Sequence, residues 1–471
     1  MKLNIPFLSG AGEKIDSAFR IAVGNLAGNI GLYKGNSGCS TTPCILAGAH
    51  YPEPWVRDAS FNSWYAGFVA PDAARNSLMA VLSSDNTVDN PGNYWDQIIW
   101  AVGAWADFLH SGDREFLKFS LGVVERTLNR LKKEEFDSTD GLFRGGACFQ
   151  DGIAGYPDAF VSRDRRSGII AYLQNPPDGA ELVPVGMGLP VKAFSTNCLY
   201  YEAMVIADRM RGILNKEPCH QAEALSLRNA VNRYFFQPET GTYAYLLDAP
   251  DTTVRQEGLG SAFALLFGIV PKNRIAALIA GTHLTPQGIP CVWPPFERYP
   301  KTGGAYPRHS GVIWPQVNAA WCCALTRNGC RKAAVHEVEL LAEKADRDKM
   351  FMEIYHPESG LPYGGLQEDG SADIVEWESS RCQTWCATGF IRMVLSAYFG
   401  LQEDTDGLTV APVLPENTDE MTLADMVWRD TSITFTVKRS HRSRLAVNGW
   451  TAEKIIPAAG CSLQVEIEVE G

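Results

Sequence analysis

Apolar residues recur with a helical period from about residue 11 to residue 400. The strongest segments run over roughly 13–29, 58–83, 94–111, 113–133, 194–214, 217–237, 258–281, 309–327, 330–349 and 380–400. Within the third, Ile98, Val102, Trp105 and Leu109 form one stripe, as Trp385, Gly389 and Met393 do in the last. Pro71, the Asn90-Pro91-Gly92 run and Gly112-Asp113 punctuate the pattern. This predicts ten or eleven helices joined mostly by short turns. That is more than one bundle packs around a single core, so a ring or solenoid of helical hairpins is expected. Beyond Gly400 the period falls to two: Ile433, Phe435 and Val437 alternate with Thr, and Val465, Ile467 and Val469 alternate with Glu. A small β region over 405–471, packed on a helical body over 1–404, follows from the change of period.

Four connections do not look like bundle loops. Residues 30–57, 134–193, 282–308 and 350–379 are long and rich in Gly, Pro and aromatic residues. Loops of this length are functional or disordered, and their aromatic content argues for order. Gathered on one face they would enclose one short pocket.

Composition narrows the function. The chain has 471 residues with 45% hydrophobic and 20% charged, an ordinary globular mix with ample material for a core. Its formal charge of −12 disfavours a basic nucleic-acid-binding face. No apolar run approaches the roughly 18 residues of a membrane helix. The first fourteen residues make a poor signal peptide. None of the 12 cysteines forms a Cys-x-x-Cys pair or has zinc spacing with His. They are expected to be buried thiols in a reducing, cytoplasmic setting, with a secreted disulfide-bonded protein as the alternative. No metal or cofactor is expected, and a homo-oligomer stays open.

Chemistry concentrates in the long connections. Tyr51, Trp55, Arg57 and Asp58 stand together where a helix begins. Asp58 suits an N-cap and Arg57 a surface ion pair, but an aromatic beside Arg and Asp also suits a sugar: the ring packs on C–H faces while the charges hold vicinal hydroxyls. Asp151 lies in a Gly-rich loop beside Gln150, between Phe149 and Tyr156. It is either a turn-former or a carboxyl whose pKa such neighbours would raise, as a general acid requires. Trp293, His309, Trp314 and Gln316 fit either helix-start packing or subsite lining. Glu353, with Tyr355 close behind and Trp385 further on, is either a surface residue or a base presented into the pocket. Glycoside hydrolysis needs one protonated and one ionised carboxyl across the scissile bond, about 6.5–9.5 Å apart when configuration inverts. Asp151 and Glu353 meet this need if their loops converge. Glu257 and Asp140 are reserves for the acid, and Glu376 and Glu378 for the base.

The order of these short motifs resembles a known family. Trp55-x-Arg57-Asp58, Tyr94-Trp95-Asp96-Gln97, the Asp140-Gly141-Leu142 and Asp151 loop, Ser195-x-Asn197 with Tyr200-Tyr201, Gly311-x-x-Trp314-Pro315, Glu353-x-Tyr355 and Gln383-x-Trp385 are similar to the six-hairpin (α/α)6-barrel glycosidases. The nearest kin are glycoside hydrolase family 63 and mannosylglycerate- and glucosylglycerate-hydrolase-like proteins; trehalases and glucoamylases are more distant. The resemblance implies a mainly α, (α/α)6 toroid and an inverting, cofactor-free mechanism. By position, Asp151 matches the acid and Glu353 the base. Trp55, Arg57 and Asp58 match the residues gripping the non-reducing sugar, with Trp95 and Asp96 in the next motif. The Ser-Gly-x-Asp pattern usual around the acid is replaced here by Phe149-Gln150-Asp151-Gly152, and the large N-terminal β-sandwich of many relatives is missing. The expected function is exo-acting hydrolysis of a small oligosaccharide or glycoside, an α-glucoside or α-mannoside. The alternatives are a non-catalytic sugar-binding protein, a glycoside phosphorylase and a sugar epimerase.

Overall fold

The computed structural model describes residues 2–36, 40–88, 94–180, 189–249, 255–299, 304–370 and 374–470. In chain order its helices are α1 (Glu13–Gly28), α2 (Val56–Ala66), α3 (Pro71–Ala80), α4 (Tyr94–Ser111), α5 (Arg114–Glu135), α6 (Ala171–Gln174), α7 (Phe194–Ile213), α8 (Gln221–Tyr234), α9 (Gly258–Leu266), α10 (Lys272–Gly281), α11 (Pro315–Arg327), α12 (Arg331–Asp348) and α13 (Thr384–Ala397).

Two segments read as single helices are each two. Pro71 occupies the first turn of α3, where a missing N–H costs nothing, and so ends the run over 58–83. Gly268, at φ +69°, and Pro271 divide 258–281 in the same way. Two others start later than periodicity implied. His309 and Gly311 have φ of +61° and +88° ahead of α11, and Cys382 has φ +49° ahead of α13, so the backbone cannot be helical there.

The helices divide into two kinds. α2, α9, α11 and α13 are buried nearly all round, and α4 and α7 almost as fully. α1, α5, α8 and α12 bury one stripe each. The first set packs in a cycle: α2 on α4, α4 on α7, α7 on α9, α9 on α11, α11 on α13, and α13 back on α2. The second set covers it, with α1 on α12 and α13, α5 on α4 and α7, and α8 on α7. A helix apolar on every side must be enclosed, and a helix with one apolar stripe must cover something. The approach of α4 to α2 needs Gly103, where a Cβ would stand 2.8 Å from the Ser60 Cα.

The C-terminal strands form a six-stranded sheet in the order Phe7–Ser9, Glu420–Trp428, Thr431–Ser440, Ser462–Glu470, Arg444–Val447, Trp450–Thr451. Only the pairing of Thr431–Ser440 with Ser462–Glu470 is parallel. The sheet takes a strand from the N-terminus, which the pattern of the sequence did not reveal. Its buried face alternates as expected, through Met421, Leu423, Ile433, Phe435, Val437, Val465 and Ile467. Phe399, just past α13, packs on Phe435 at 6.0 Å. Arg429 donates from its Nε to the Leu109 carbonyl, tying the sheet to the end of α4.

Eleven of the cysteines are described and all are free thiols. Seven are buried, but Cys219 and Cys461 are exposed and Cys330 and Cys382 partly so, which corrects the expectation of uniform burial. Cys39 lies outside the described residues. No helix among the described residues is long and apolar enough to cross a membrane.

Candidate active site

A cavity of about 170 Å³ lies at the beginnings of α2, α11 and α13, three helices of the inner cycle. Arg57 and Asp58 come from the first turn of α2, Trp314 is the N-cap of α11, and Gln383 and Trp385 flank the start of α13. Connections between helices supply the rest: Tyr51 and Trp55 from the one after α1, Asp151 from the one after α5, Arg308 from the one after α10, and Glu353 and Trp377 from the one after α12. Asp58 is not the N-cap of α2; that position belongs to Trp55, and Asp58 sits in the first turn with its carboxyl against the cavity.

Each of two carboxylates in the wall is gripped by a buried arginine. Arg57 donates from Nη1 to Asp151 Oδ1 at 2.9 Å and to the Cys148 carbonyl, while its Nε lies 3.2 Å from Asp96 Oδ1. Arg308 donates from Nη2 to Glu353 Oε1 at 3.1 Å and from Nη1 to the Gly364 carbonyl at 3.1 Å. Glu353 also accepts from the Ser380 N–H at 3.4 Å and is only 4% exposed. Asp151, also in the wall, keeps 48% of its side-chain surface exposed.

The electrostatics differ from the sequence-based expectation. Burial pushes the Asp151 carboxyl up, but Arg57, with Arg308 behind it, outweighs that and holds it well below the usual carboxylate range. Phe149 and Tyr156, expected to desolvate Asp151, instead pack at 5.9 Å from one another in the core, with Phe149 stacked on His309. The carboxyl that is raised is Asp58. Burial drives it to about 8, against the pull of Arg57 and helped by the nearby charges of Asp96, Glu353 and Asp151. Gln383 donates to Asp58 Oδ1 at 3.4 Å.

Of the residues singled out from sequence, Tyr51, Trp55, Arg57, Asp58, Asp151, Trp314, Glu353 and Trp385 line the cavity. The others lie off its wall. Asp96 stands behind Arg57, and Gln150 behind Asp96 at 3.5 Å. Trp95 is a core residue that packs on Phe61 and Phe263 and donates to Ser195 Oγ at 3.1 Å. Trp293 stacks on His283 at 4.1 Å, away from the cavity. His309 is fully buried between Phe149 and Trp314, directly behind Gly152, where a Cβ would stand 1.9 Å from its Nδ1. Gln316 is buried with its Nε2 toward Cys148 Sγ, and Tyr355 lies in the core with its OH accepting from the Met352 N–H. A single sequence shows which aromatic and polar residues cluster but not which way a strand or turn points them.

The reserve carboxyls are elsewhere. Glu257 is buried, accepts from the Ser195 N–H at 2.9 Å and is pushed up to about 7 by burial. Asp140 is paired with Lys192. Glu376 ends the strand Ile374–Glu376 and Glu378 pairs loosely with Arg381, both outside the cavity wall. Arg308, Trp377, Ser167 and Gln367 were not among the candidates from sequence, yet they line the cavity, as does Gln383 of the Gln383-x-Trp385 motif. The signal for Arg308 was available: an Arg beside a candidate carboxylate loop is a natural counter-charge. Among the described residues one potential metal-binding group exists, Glu125, Cys219 and His220, far along the chain from this cavity. There Arg211 already pairs with Glu125 at 2.5 Å.

No curated protein sequence matches the chain. Solved structures similar in fold include a sialidase (12% identity, TM-score 0.63, 90% of this chain and 37% of that one). A glycoside hydrolase family 78 rhamnosidase of a Bacillus species matches at 12% identity and TM-score 0.58, over 99% of this chain and 44% of that one. A family 63 mannosylglycerate hydrolase from Thermus thermophilus matches at 14% identity and TM-score 0.55, over 80% of this chain and 99% of that one. The chain therefore spans less than half the length of the first two. At these identities the likeness is one of fold. The model of the mannosylglycerate hydrolase MGH1-like glycoside hydrolase domain matches residues 45–386. That span is most of the chain and contains every residue of the cavity wall, from Ala47 to Trp385. With its family model and its cavity coinciding along the chain, this protein belongs to the MGH1-like glycoside hydrolase domain family.

Proposed function

We propose that the chain is an exo-acting glycosidase that cleaves a small oligosaccharide or glycoside with inversion, with Asp151 as general acid and Glu353 as general base. The cycle of inner helices and its covering set support an (α/α)6 toroid, with residues 405–471 as a β region packed on it and completed by the strand Phe7–Ser9. The observation that carries the reading is that two carboxyls more than 200 residues apart, Asp151 and Glu353, share the wall of one small cavity with Asp58 and four indoles. Its 170 Å³ is below the roughly 300–1,000 Å³ of drug-sized sites and suits a single sugar ring, hence attack at a chain end. The indole N–H groups of Trp314, Trp377 and Trp385 have no hydrogen-bond partner. Hydroxyl groups of a sugar would accept from them, relieving a cost of about 1–3 kcal/mol each.

Glu353, held by Arg308 and Ser380, takes the place of the base that activates the attacking water. Asp151 needs a proton, and before substrate binds Arg57 opposes one. A bound glycoside reverses this: it excludes water from the open side of Asp151, and its hydroxyls compete for the Arg57 N–H groups. The proton then passes to the glycosidic oxygen as the bond to the anomeric carbon breaks and the water activated by Glu353 attacks from the other face. A second reading rests on the raised Asp58, the carboxyl of the wall that is protonated at neutral pH, as the acid. α-Glucosides and α-mannosides are the substrate class to test first, and the cytoplasm the expected location. A panel of such glycosides, with product anomers followed by proton NMR, tests the reading. Net retention overturns the inverting mechanism, dependence on phosphate makes the protein a phosphorylase, and binding without turnover makes it a lectin-like protein. Replacing Asp151 and Asp58 separately by Asn decides between the two acids.

A further inference from the structure

A cavity larger than the one that holds Asp151 and Glu353 lies elsewhere among the described residues. It has a volume of about 690 Å³, some four times the 170 Å³ of the first. All six helices of the inner cycle line it, with Trp64 of α2, Trp105 of α4, Glu202 of α7, Leu266 of α9, Thr326 of α11 and Arg392 of α13. These come from the middle or last turns, whereas the first cavity uses first turns. Along α13 the step from Trp385 in one cavity to Ser396 in the other is about 16 Å of helix. The two cavities thus occupy opposite ends of the same ring.

Its lining is built for a ligand with one apolar face and many hydroxyls. Trp64 is the one residue of α2 that is not buried, and Trp105 stands partly exposed in a stretch of α4 otherwise buried from 95 to 110. Both indoles owe that exposure to this cavity, and Phe267 beside it is half-buried as well. The charges largely close on themselves. Arg392 pairs with Glu403 at 3.0 Å and donates to the Trp64 and Tyr65 carbonyls, and Glu403 also meets His110 at 3.3 Å. Glu202, 6% exposed, accepts from Arg209 at Oε1, 3.1 Å, and its Oε2 has no partner. That oxygen is left to accept from a ligand; the hydroxyls of Thr326 and Thr405 donate to the Cys322 carbonyl at 3.0 Å and to Asp404 Oδ1 at 3.4 Å, and beside Ser396 keep lone pairs for a ligand's O–H groups. Glu403 is locked between Arg392 and His110, and Asp404 is drawn to Lys454 at 3.5 Å. Glu202 is thus the buried carboxyl of this lining that keeps an oxygen for a ligand.

We propose that this second cavity is a non-catalytic binding site for a neutral oligosaccharide of two or three rings. Aromatic faces take the C–H side of the sugar and the carboxylate with its hydroxyl neighbours takes the O–H groups. The site stands whether or not the first cavity hydrolyses glycosides, because its test reads binding. Calorimetric titration of the full chain with S-linked, hydrolysis-resistant trisaccharides of the glucose and mannose series provides it. Thr405 is exposed at the rim, so T405W fills the mouth without disturbing the core. The part of the wild-type binding that belongs to this cavity is expected to be lost in T405W and to weaken about tenfold in E202Q, while any binding in the first cavity persists in both. D151N, at the first cavity, is expected to keep the component that T405W removes, and T405W to keep wild-type turnover. Absence of binding by every probe, an isotherm of T405W identical to that of the wild type, or loss of the T405W-sensitive component in D151N instead overturns the proposal.

Discussion

Replacing Glu353 by Gln separates catalysis from packing. The amide keeps the shape of the carboxyl, and its oxygen can go on accepting from Arg308 Nη2, the stronger contact at 3.1 Å. Its NH2 then faces the Ser380 N–H, 3.4 Å from the oxygen it replaces, so a donor meets a donor in a buried place. That conflict costs about 1–2 kcal/mol of stability, the usual penalty for an unpaired buried polar group. The chemical loss is larger. A positioned base contributes roughly 10²–10⁴ in rate, so kcat should fall by that factor, a barrier increase of about 3–5 kcal/mol. The assay is steady-state hydrolysis of the best glycoside from the panel, with thermal unfolding measured on the same preparation. KM should change little, because a base that activates water does not grip the sugar's hydroxyls. Azide, a small nucleophile that needs no base, should restore turnover in the smaller E353A variant and yield a glycosyl azide of inverted configuration. A loss in E353Q below tenfold, with an intact fold, would falsify the base assignment.

Further outcomes follow from other parts of the site and core. D151N should lose at least about 10² in rate on alkyl glycosides but far less on glycosides of acidic phenols, which leave without a proton; equal losses on both kinds return the acid role to Asp58. Glu257→Gln tests the buried carboxyl in the core. Its pKa is about 7 in the folded chain and about 4.3 unfolded, so its stabilising protonation is complete below the unfolded value. It is lost as pH rises through about 7. E257Q should therefore match wild type near pH 4 and exceed it above pH 7 by on the order of 3 kcal/mol in urea unfolding; a gap independent of pH refutes that account. Gly152→Ala sets a methyl 1.9 Å from His309 Nδ1 and should destabilise by about 1–3 kcal/mol. H309A should recover much of that loss in the double variant, and additive losses show that the clash lies elsewhere.

Much of this protein was legible in its order of residues. The 3.6-residue period located the helices and the period of two located Thr431–Ser440 and Ser462–Glu470, because each face must meet either core or water. The residue types at Arg57, Asp151 and Glu353 suggested sugar chemistry because paired carboxyls and an aromatic–Arg cluster serve few other purposes. Helix breaks at Gly268 and Cys382 were not legible, since they depend on backbone angles that neighbours impose. Nor was the strand at Phe7–Ser9, which pairs with residues more than 400 positions away. The direction of side chains was decided only by tertiary structure. Trp95 and His309 look like subsite residues in the chain but turn into the core, whereas Arg308 turns into the cavity. The charge state of Asp151 was decided there too. Sequence neighbours Phe149 and Tyr156 implied a raised carboxyl, but Arg57, ninety-four residues earlier, sits 2.9 Å away and pulls it down. Coulomb interactions act through space, and the chain alone does not say which distant charges will share it.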